Sequence, residues 1–434
     1  MTIKEHFRKN IVLALPVIIG QLGHIMVSVA DTMMVGRIGV IPLAGATFAG
    51  TFFHVFMLFG IGVSYAITPL VAADPSNRSK LLVYLQNGFL LNGVLAILMC
   101  FSVLILAPFL HLFGQEPEVA IAAKPYLVII SFSLLPMMIF QAFRQFSEGQ
   151  SNTFSPMIVS IVANMINIGL NYLFIYGKFG FPVMGLNGAG YATLISRFIM
   201  VLLMMFLIRD LWKGFKWKFD VGVVRKLLHI GIPSGLQYVF EIGAFSMAAI
   251  MVGWISAEAL AAHQIALNMV AVTYMAASGL GAAAAIRIGN QMGKKDLSNL
   301  KRAGVSSFVL VVIFMALAAM LIVLFRSFLV DLYIDEIAVK EIALGLLIIA
   351  AGFQISDGLQ AVGLGVLRGL MDVKVPTLVT FFVYWICAIP GSYLLAFTFE
   401  MGVSGVWYAL SAALSLAALL HIIRFIYLTR RLQF

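Results

Sequence analysis

IVLALPVIIGQLGHIMVSVADTMMVG, residues 11–36, decides how this 434-residue chain is read. It is long enough for a helix to cross a bilayer, which takes about 20 apolar residues. Inside it Gln21, His24, Ser28 and Asp31 are spaced 3, 4 and 3 residues apart and so share one helix face, with Leu, Ile, Val and Met on the other. A carboxylate at the centre of a membrane helix costs about 2.5–3.5 kcal/mol, so it is kept where it faces a cavity or a partner. Asp31 is therefore a candidate functional residue; a cap on the chain turn at Met34–Gly36 is the structural alternative.

The composition around this stretch agrees with it. The chain is 62% hydrophobic and 11% charged, a balance that excludes a water-soluble domain of this length. Apolar runs predict twelve helical spans over about 11–35, 41–72, 81–110, 125–147, 156–177, 185–208, 229–254, 258–288, 303–327, 341–367, 376–398 and 403–428. Pro42, Pro125, Pro156 and Pro376 fall near span starts, while Pro16, Pro136, Pro233 and Pro390 lie deeper and are expected to bend their helices. The basic start MTIKEHFRKN resembles a signal peptide, but the apolar run after it is too long and carries Asp31, so it is expected to be retained. Cys100 and Cys387 both fall in spans and imply neither a disulfide framework nor a zinc site.

Charge sets the topology. Loops on the amino-terminal side hold 22 Lys and Arg against 5 on the other side, which predicts that both termini and the central linker are cytoplasmic. The net charge of +10 is thereby accounted for without nucleic acid, and no basic cluster is interleaved with exposed aromatics. With Arg144, Arg287, Arg326 and Arg424 at span ends counted with the adjoining loops, only Arg197 is left inside a predicted span. Of eighteen acids, seven fall in inside loops, eight outside and three in spans: Asp31, Glu241 and Asp357.

An internal repeat is also legible. Arg8-Lys9, Pro16 and Met34-Val35-Gly36 recur 217 residues on as Arg225-Lys226, Pro233 and Met251-Val252-Gly253, and Met184-Gly185 with Gly188 recurs as Met401-Gly402 with Gly405. Gly149 and Pro156 match Gly369 and Pro376 at an offset of 220. The chain is read as an all-α polytopic membrane protein, twelve transmembrane helices in two pseudo-symmetric six-helix lobes, residues 1–210 and 229–434, joined by a basic amphipathic linker, 211–228. Parallel repeats of this kind are a transporter architecture.

Glu241 shares a face with Gln237 and Phe245, and Asp357 is flanked at three-residue spacing by Gln354 and Gln360. Oxygen-rich faces with one or two acids suit a hard cation or a proton. Asn164, Asn167 and Asn171 form an amide stripe that fits equally an interhelical hydrogen-bond seam and the wall of a cavity beside Asp31. A single span cation, Arg197, cannot neutralise three acids, so at least two require a proton, an exchangeable cation or a cationic substrate. His24, on the Asp31 face, is the candidate proton participant; His54 and His263 read as core residues. No phosphate-binding loop or dinucleotide fingerprint is present, so the energy must come from an ion gradient and no enzyme is indicated.

VADTMMVGRIG around Asp31, the Glu241–Phe245 face, Asp357 upstream of GVLRGLMD, and NYLFIYGKFG leading to GLNGAGYAT together resemble the multidrug and toxic compound extrusion (MATE) family, in its NorM-type branch, over essentially the whole chain. The resemblance implies two six-helix lobes and export of organic cations and other toxic compounds by a monomer among membrane lipids, in exchange for Na⁺ or H⁺ and with no further cofactor. It implies that Glu241 and Asp357 hold the coupling cation, with Phe245 beside it, and that Asp31, Asn167 and Asn171 form an amino-lobe polar site that Gln21, His24 and Asn164 extend. DinF-like and archaeal members carry an aspartate where this chain has Asn171, which favours the carboxyl-lobe site. A lipid-linked oligosaccharide flippase of the same superfamily would call for several intramembrane cations, and Arg197 alone argues against it.

Overall fold

Twelve helices long and apolar enough to cross a membrane account for most of the computed structural model, which describes residues 2–212 and 217–432. They are α1 Ile3–Gly36, α2 Val40–Ala73, α3 Arg78–Phe113, α4 Pro117–Gly149, α5 Phe154–Tyr176, α6 Gly185–Leu207, α7 Val221–Gly253, α8 Ala257–Gly293, α9 Leu297–Asp331, α10 Ile337–Gly369, α11 Lys374–Thr398 and α12 Gly402–Arg431. Several start about two turns before the apolar window predicts: α1 at Ile3, α4 at Pro117, α7 at Val221. A helix keeps its backbone hydrogen bonds beyond the hydrocarbon wherever its polar turn finds a cap or a packing partner. For α7 the cap is Asp220, whose Oδ1 accepts from Val223 N at 3.1 Å. The segment before it is clasped by α3: Gln86 Oε1 accepts from Lys218 N at 2.9 Å and Asn87 Oδ1 from Asp220 N at 3.0 Å. The expected linker is thereby shortened at its far end, and its residues 213–216 lie outside those described.

Prolines act in two ways. α1 and α7 run on through Pro16 and Pro233. α4 breaks at Ser133, three residues before Pro136, and α2 breaks at Tyr65–Ala66, ahead of Pro69. Each break falls where the proline ring would clash with the preceding turn and where its missing donor costs nothing.

Contacts divide the chain into two compact units, Ile19–Gly235 and Met1–Ile18 with Leu236–Phe434. The two boundaries, Ile19 and Leu236, sit at equivalent positions of the repeat. Each unit is held by the same close crossings. In the first, a Cβ on Gly149 would lie 3.0 Å from Thr68 O, and one on Gly188 2.7 Å from Phe174 O. In the second, Gly369 meets Ala285 O at 2.8 Å and Gly405 meets Leu395 O at 2.8 Å. Without a hydrophobic drive between helices in lipid, such glycine contacts let backbones approach and supply the packing energy. The tightest is the α8–α10 crossing, where Gly365 lies against the Gly281 carbonyl.

One repeat copy carries an insertion. α11 contains π-helical turns over Phe382–Ala388 and Leu394–Thr398, whereas α5 is regular. The repeat offset is 220 at Pro156/Pro376 and 221 at Phe174/Leu395, one residue more across the first π segment. A π-turn absorbs a single extra residue in this way.

The membrane charge census is revised. Glu148, expected in a loop, lies in the last turn of α4, buried, with Arg144 Nε donating to its Oε1 at 2.7 Å. Arg287 and Arg368 are likewise buried within α8 and α10. The predicted spans stop just short of Glu148 and Arg368, where the helix continues with a packed polar end, while Arg144 and Arg287 lie in the last turn of theirs.

Candidate cation and substrate sites

In the unit Ile19–Gly235, Asp31 stands on α1 opposite α5. Asn171 Nδ2 donates to Asp31 Oδ1 in a short hydrogen bond and to Asn167 Oδ1 at 3.2 Å, and Asn167 Nδ2 donates to Ser196 Oγ on α6 at 3.4 Å. The asparagine stripe is thus a hydrogen-bonded relay ending on the carboxylate. Tyr176 donates to Met34 O at 2.9 Å and fixes the end of α1 against α5. Asn164 sits over Gly23, where a Cβ would come within 3.1 Å of its Nδ2.

Gln21 Oε1, Asn164 Nδ2, Asn171 Oδ1 and His24 Nε2 are buried with no protein partner. Four orphaned polar atoms on two facing helices mark a place built to receive a polar or charged ligand. No hydrogen bond joins His24 to Asp31 among the described residues; the charges acting on His24 are Arg144 and Arg197. Ser28 is exposed on another part of the surface.

In the other unit Glu241 on α7 and Asp357 on α10 are both buried and close enough for their charges to oppose each other. Two buried carboxylates repel when both are ionised, and a proton or a monovalent cation between them removes the repulsion. Tyr274 on α8 and Gln360 approach Glu241, the Gln360 amide without closing a well-aligned hydrogen bond. Tyr384 is near both acids, and Phe245 lies 6.1 Å from its ring. Asp357 Oδ2, the Tyr384 hydroxyl and both amide atoms of Gln354 and Gln360 are buried without a protein partner. This is an oxygen-rich set for a hard cation.

Gln237, one turn before Glu241 on α7, donates to the Val373 carbonyl at 3.4 Å. His263 is a core residue that accepts from Trp407 Nε1 at 3.0 Å. The residues missed in the sequence are the two tyrosines. A tyrosine in an apolar run reads as an interfacial side chain, and it is the burial of Tyr384 beside the two acids that shows it is aimed inward.

The fold, two repeats of membrane-length helices that enclose acidic side chains, is that of a polytopic carrier. The MatE family model matches residues 16–173 and 233–394, one match in each half. The chain is 33% identical over 426 residues to a probable multidrug resistance protein NorM of Brucella suis, covering 94% of this chain and 90% of that one. It is 32% identical to the multidrug resistance protein MdtK of Yersinia pseudotuberculosis, covering 98% and 96%. Its fold is similar to the crystal structure of the eukaryotic MATE transporter AtDTX14, with a TM-score of 0.86 and 21% identity over 98% of this chain and 96% of that one. The chain belongs to the MatE family of membrane transporters, and it is a carrier and not an enzyme.

Proposed function

We propose that this multidrug-efflux carrier is an antiporter in which Na⁺ or H⁺ is held by Glu241 and Asp357 while a cationic drug is received at Asp31, Asn167 and Asn171. The observation that carries the reading is the buried acid pair, which has no basic partner among the described residues and is surrounded by orphaned oxygen and amide atoms. With Na⁺ as coupling ion, Glu241 and Asp357 would ligate it, and Tyr274, Tyr384 and Gln360 are the neighbouring neutral groups. Cation entry from outside then favours the state that releases drug outward, and drug loading from the cytoplasm or inner leaflet expels the cation. Coupling of this kind requires only that each ligand prefer one of the two states.

The charge bias of the loops supports an inner-membrane topology with both termini cytoplasmic, and lobes of residues 1–210 and 229–434 working as a monomer among lipids. The relatives' multidrug-resistance names support organic cations as cargo. The flippase alternative is not favoured. Of the further buried arginines, Arg144 is paired with Glu148, and Arg287 donates to His6 at 2.7 Å.

Ethidium efflux from proteoliposomes, with Na⁺ and proton gradients imposed separately, tests the assignment. Efflux driven by one of these gradients in the parent and lost in Glu241→Gln is expected. Efflux that survives in Glu241→Gln would move the coupling site to Asp31 and its asparagines.

A further inference from the structure

The turn of α7 that carries Glu241 is held from one side by a single indole. Trp385, in the first π-helical turn of α11, donates through Nε1 to the Phe240 carbonyl at 3.0 Å, one residue before Glu241. Its ring lies against Gly243, where a Cβ would come within 3.0 Å of Trp385 Cζ2. Phe381, one turn before Trp385, packs its ring 5.1 Å from that of Phe240. Phe240 and Gly243 are three residues apart and both meet α11, while Glu241 lies about 100° round the helix, beside Gln237 and Phe245. A helix carbonyl has two lone pairs, one of which serves the helix's own ladder, so the indole takes the second without breaking α7.

The first repeat copy shows the same place without this bond. Phe240 falls on Gly23 at the offset of 217, and Trp385 falls on Asn164 at the offset of 221. Asn164 stands over Gly23, its Nδ2 within 3.1 Å of where a Cβ would be, but that Nδ2 has no protein partner. The two copies therefore bring the same helices together at the same point, and the second alone closes a donor onto the carbonyl. An indole is wide enough to cover the turn from Phe240 to Gly243, a rise of about 4.5 Å, which an asparagine is not. The copy with the bond is the one that has Glu241 where the other has His24.

We propose that Trp385 is a positioning residue for the coupling cation, its indole fixing the turn of α7 so that Glu241 is held close to Asp357. This rests on the reading of the acid pair as the coupling site. Two buried carboxylates favour a cation or a proton more strongly the closer they are held, because the bound charge removes a larger repulsion. Without the bond to the Phe240 carbonyl, α7 is free to turn about its axis, Glu241 moves off, and part of the repulsion is relieved before any cation arrives. Trp385 acts through Glu241 and needs no contact with the cation.

Ethidium efflux from proteoliposomes, measured against the concentration of the cation that drives the parent, tests the positioning. Trp385→Phe keeps an aromatic ring over Gly243 and removes the Nε1 donor. The half-saturating Na⁺ concentration is expected to rise about tenfold, the scale of one lost hydrogen bond, or, in a proton-driven carrier, the half-maximal pH to fall by about one unit. The ethidium KM at saturating cation keeps its parental value. Gly243→Ala, whose methyl group pushes the indole off the carbonyl, shifts the cation dependence in the same direction by less. A strut that only holds two helices together would lower the melting temperature in detergent and leave the cation dependence where it was. Parental cation dependence in Trp385→Phe therefore overturns the proposal, whatever the melting temperature. A shift matched by an equal change in ethidium KM marks general loosening and overturns it as well. Should Trp385→Phe fail to fold, parental cation dependence in Gly243→Ala overturns it instead. Efflux in Glu241→Gln with the parental cation dependence would overturn the acid-pair reading itself, a result distinct from these.

Discussion

Glu148 and Arg144 close an i,i+4 pair inside α4, both buried, and Gln145 between them accepts from Thr68 Oγ1 at 2.6 Å. A pair of this kind contributes little net stability when intact, yet leaving one partner alone is expensive. Glu148→Ala strands the Arg144 guanidinium and is expected to cost about 3 kcal/mol, seen as a lowered melting temperature in detergent. The Arg144→Met, Glu148→Leu double change should recover most of the loss. Full stability in Glu148→Ala alone would show that the pair is not what holds Arg144. Asp31, Glu241 and Asp357 were legible as single residues because each stands far from any charge of its own segment, so its cost has no local compensation. Glu148 was not, because an acid near a predicted span end reads as loop until the helix is seen to continue.

Helix ends follow local chemistry that the sequence displays openly. Asn77 Oδ1 accepts from Lys80 N at 3.1 Å, Ser256 Oγ from Ala259 N at 3.0 Å and Asp296 Oδ1 from Asn299 N at 2.9 Å, each satisfying a donor that the first turn cannot. Asp296 also accepts from Asn299 Nδ2 at 2.7 Å, and these hydrogen bonds hold its carboxyl below the usual carboxylate range. A depressed folded value means that its stabilising effect is complete above the ordinary carboxylate pKa of about 3.9 and is lost as the pH falls through the lowered value. Asp296→Ala should therefore be less stable than the parent at neutral pH, with the gap narrowing in strong acid; a gap independent of pH would assign the effect to the backbone alone. The π-turn of α11 has no comparable signal. One extra residue between Pro376 and Leu395 is visible only against the first copy, and its effect, turning Tyr384 toward the acids, depends on where α7 and α10 pack.

At the scale of the whole molecule, the repeat at 217 residues reappears as paired glycine crossings, as two matches of the family model, and as backbone geometry. Ser151 and Met371 both have φ near +60°, at 65° and 60°, and Phe179 and Glu400 do likewise at 57° and 55°. Non-glycine residues rarely adopt this region, and their recurrence shows that the two copies turn their chains alike. The contact units exchange their first half-helices at equivalent points: residues 3–18 pack with the second copy, where Asn10 Nδ2 donates to Ser306 Oγ at 3.1 Å and Ser307 Oγ at 3.0 Å. The proposed cytoplasmic termini predict that a green fluorescent protein fused after Phe434 fluoresces and that an alkaline phosphatase fused there is inactive; the reverse pattern would invert the topology.

The class of protein follows from the sequence alone, because hydrophobic length, charge bias and an internal repeat are one-dimensional and each has a direct physical cost in lipid. The three isolated acids follow as well, since an unpaired carboxylate among apolar residues stands out without any neighbour being known. Which groups those acids meet depends on how the helices pack. The pairing of Asp31 with Asn171, the approach of Tyr274 and Tyr384 to the acid pair, and the resting of Arg197 on Ser133 all join residues from different helices. Their proximity is set by helix crossing and register, which the spacing along one helix does not contain.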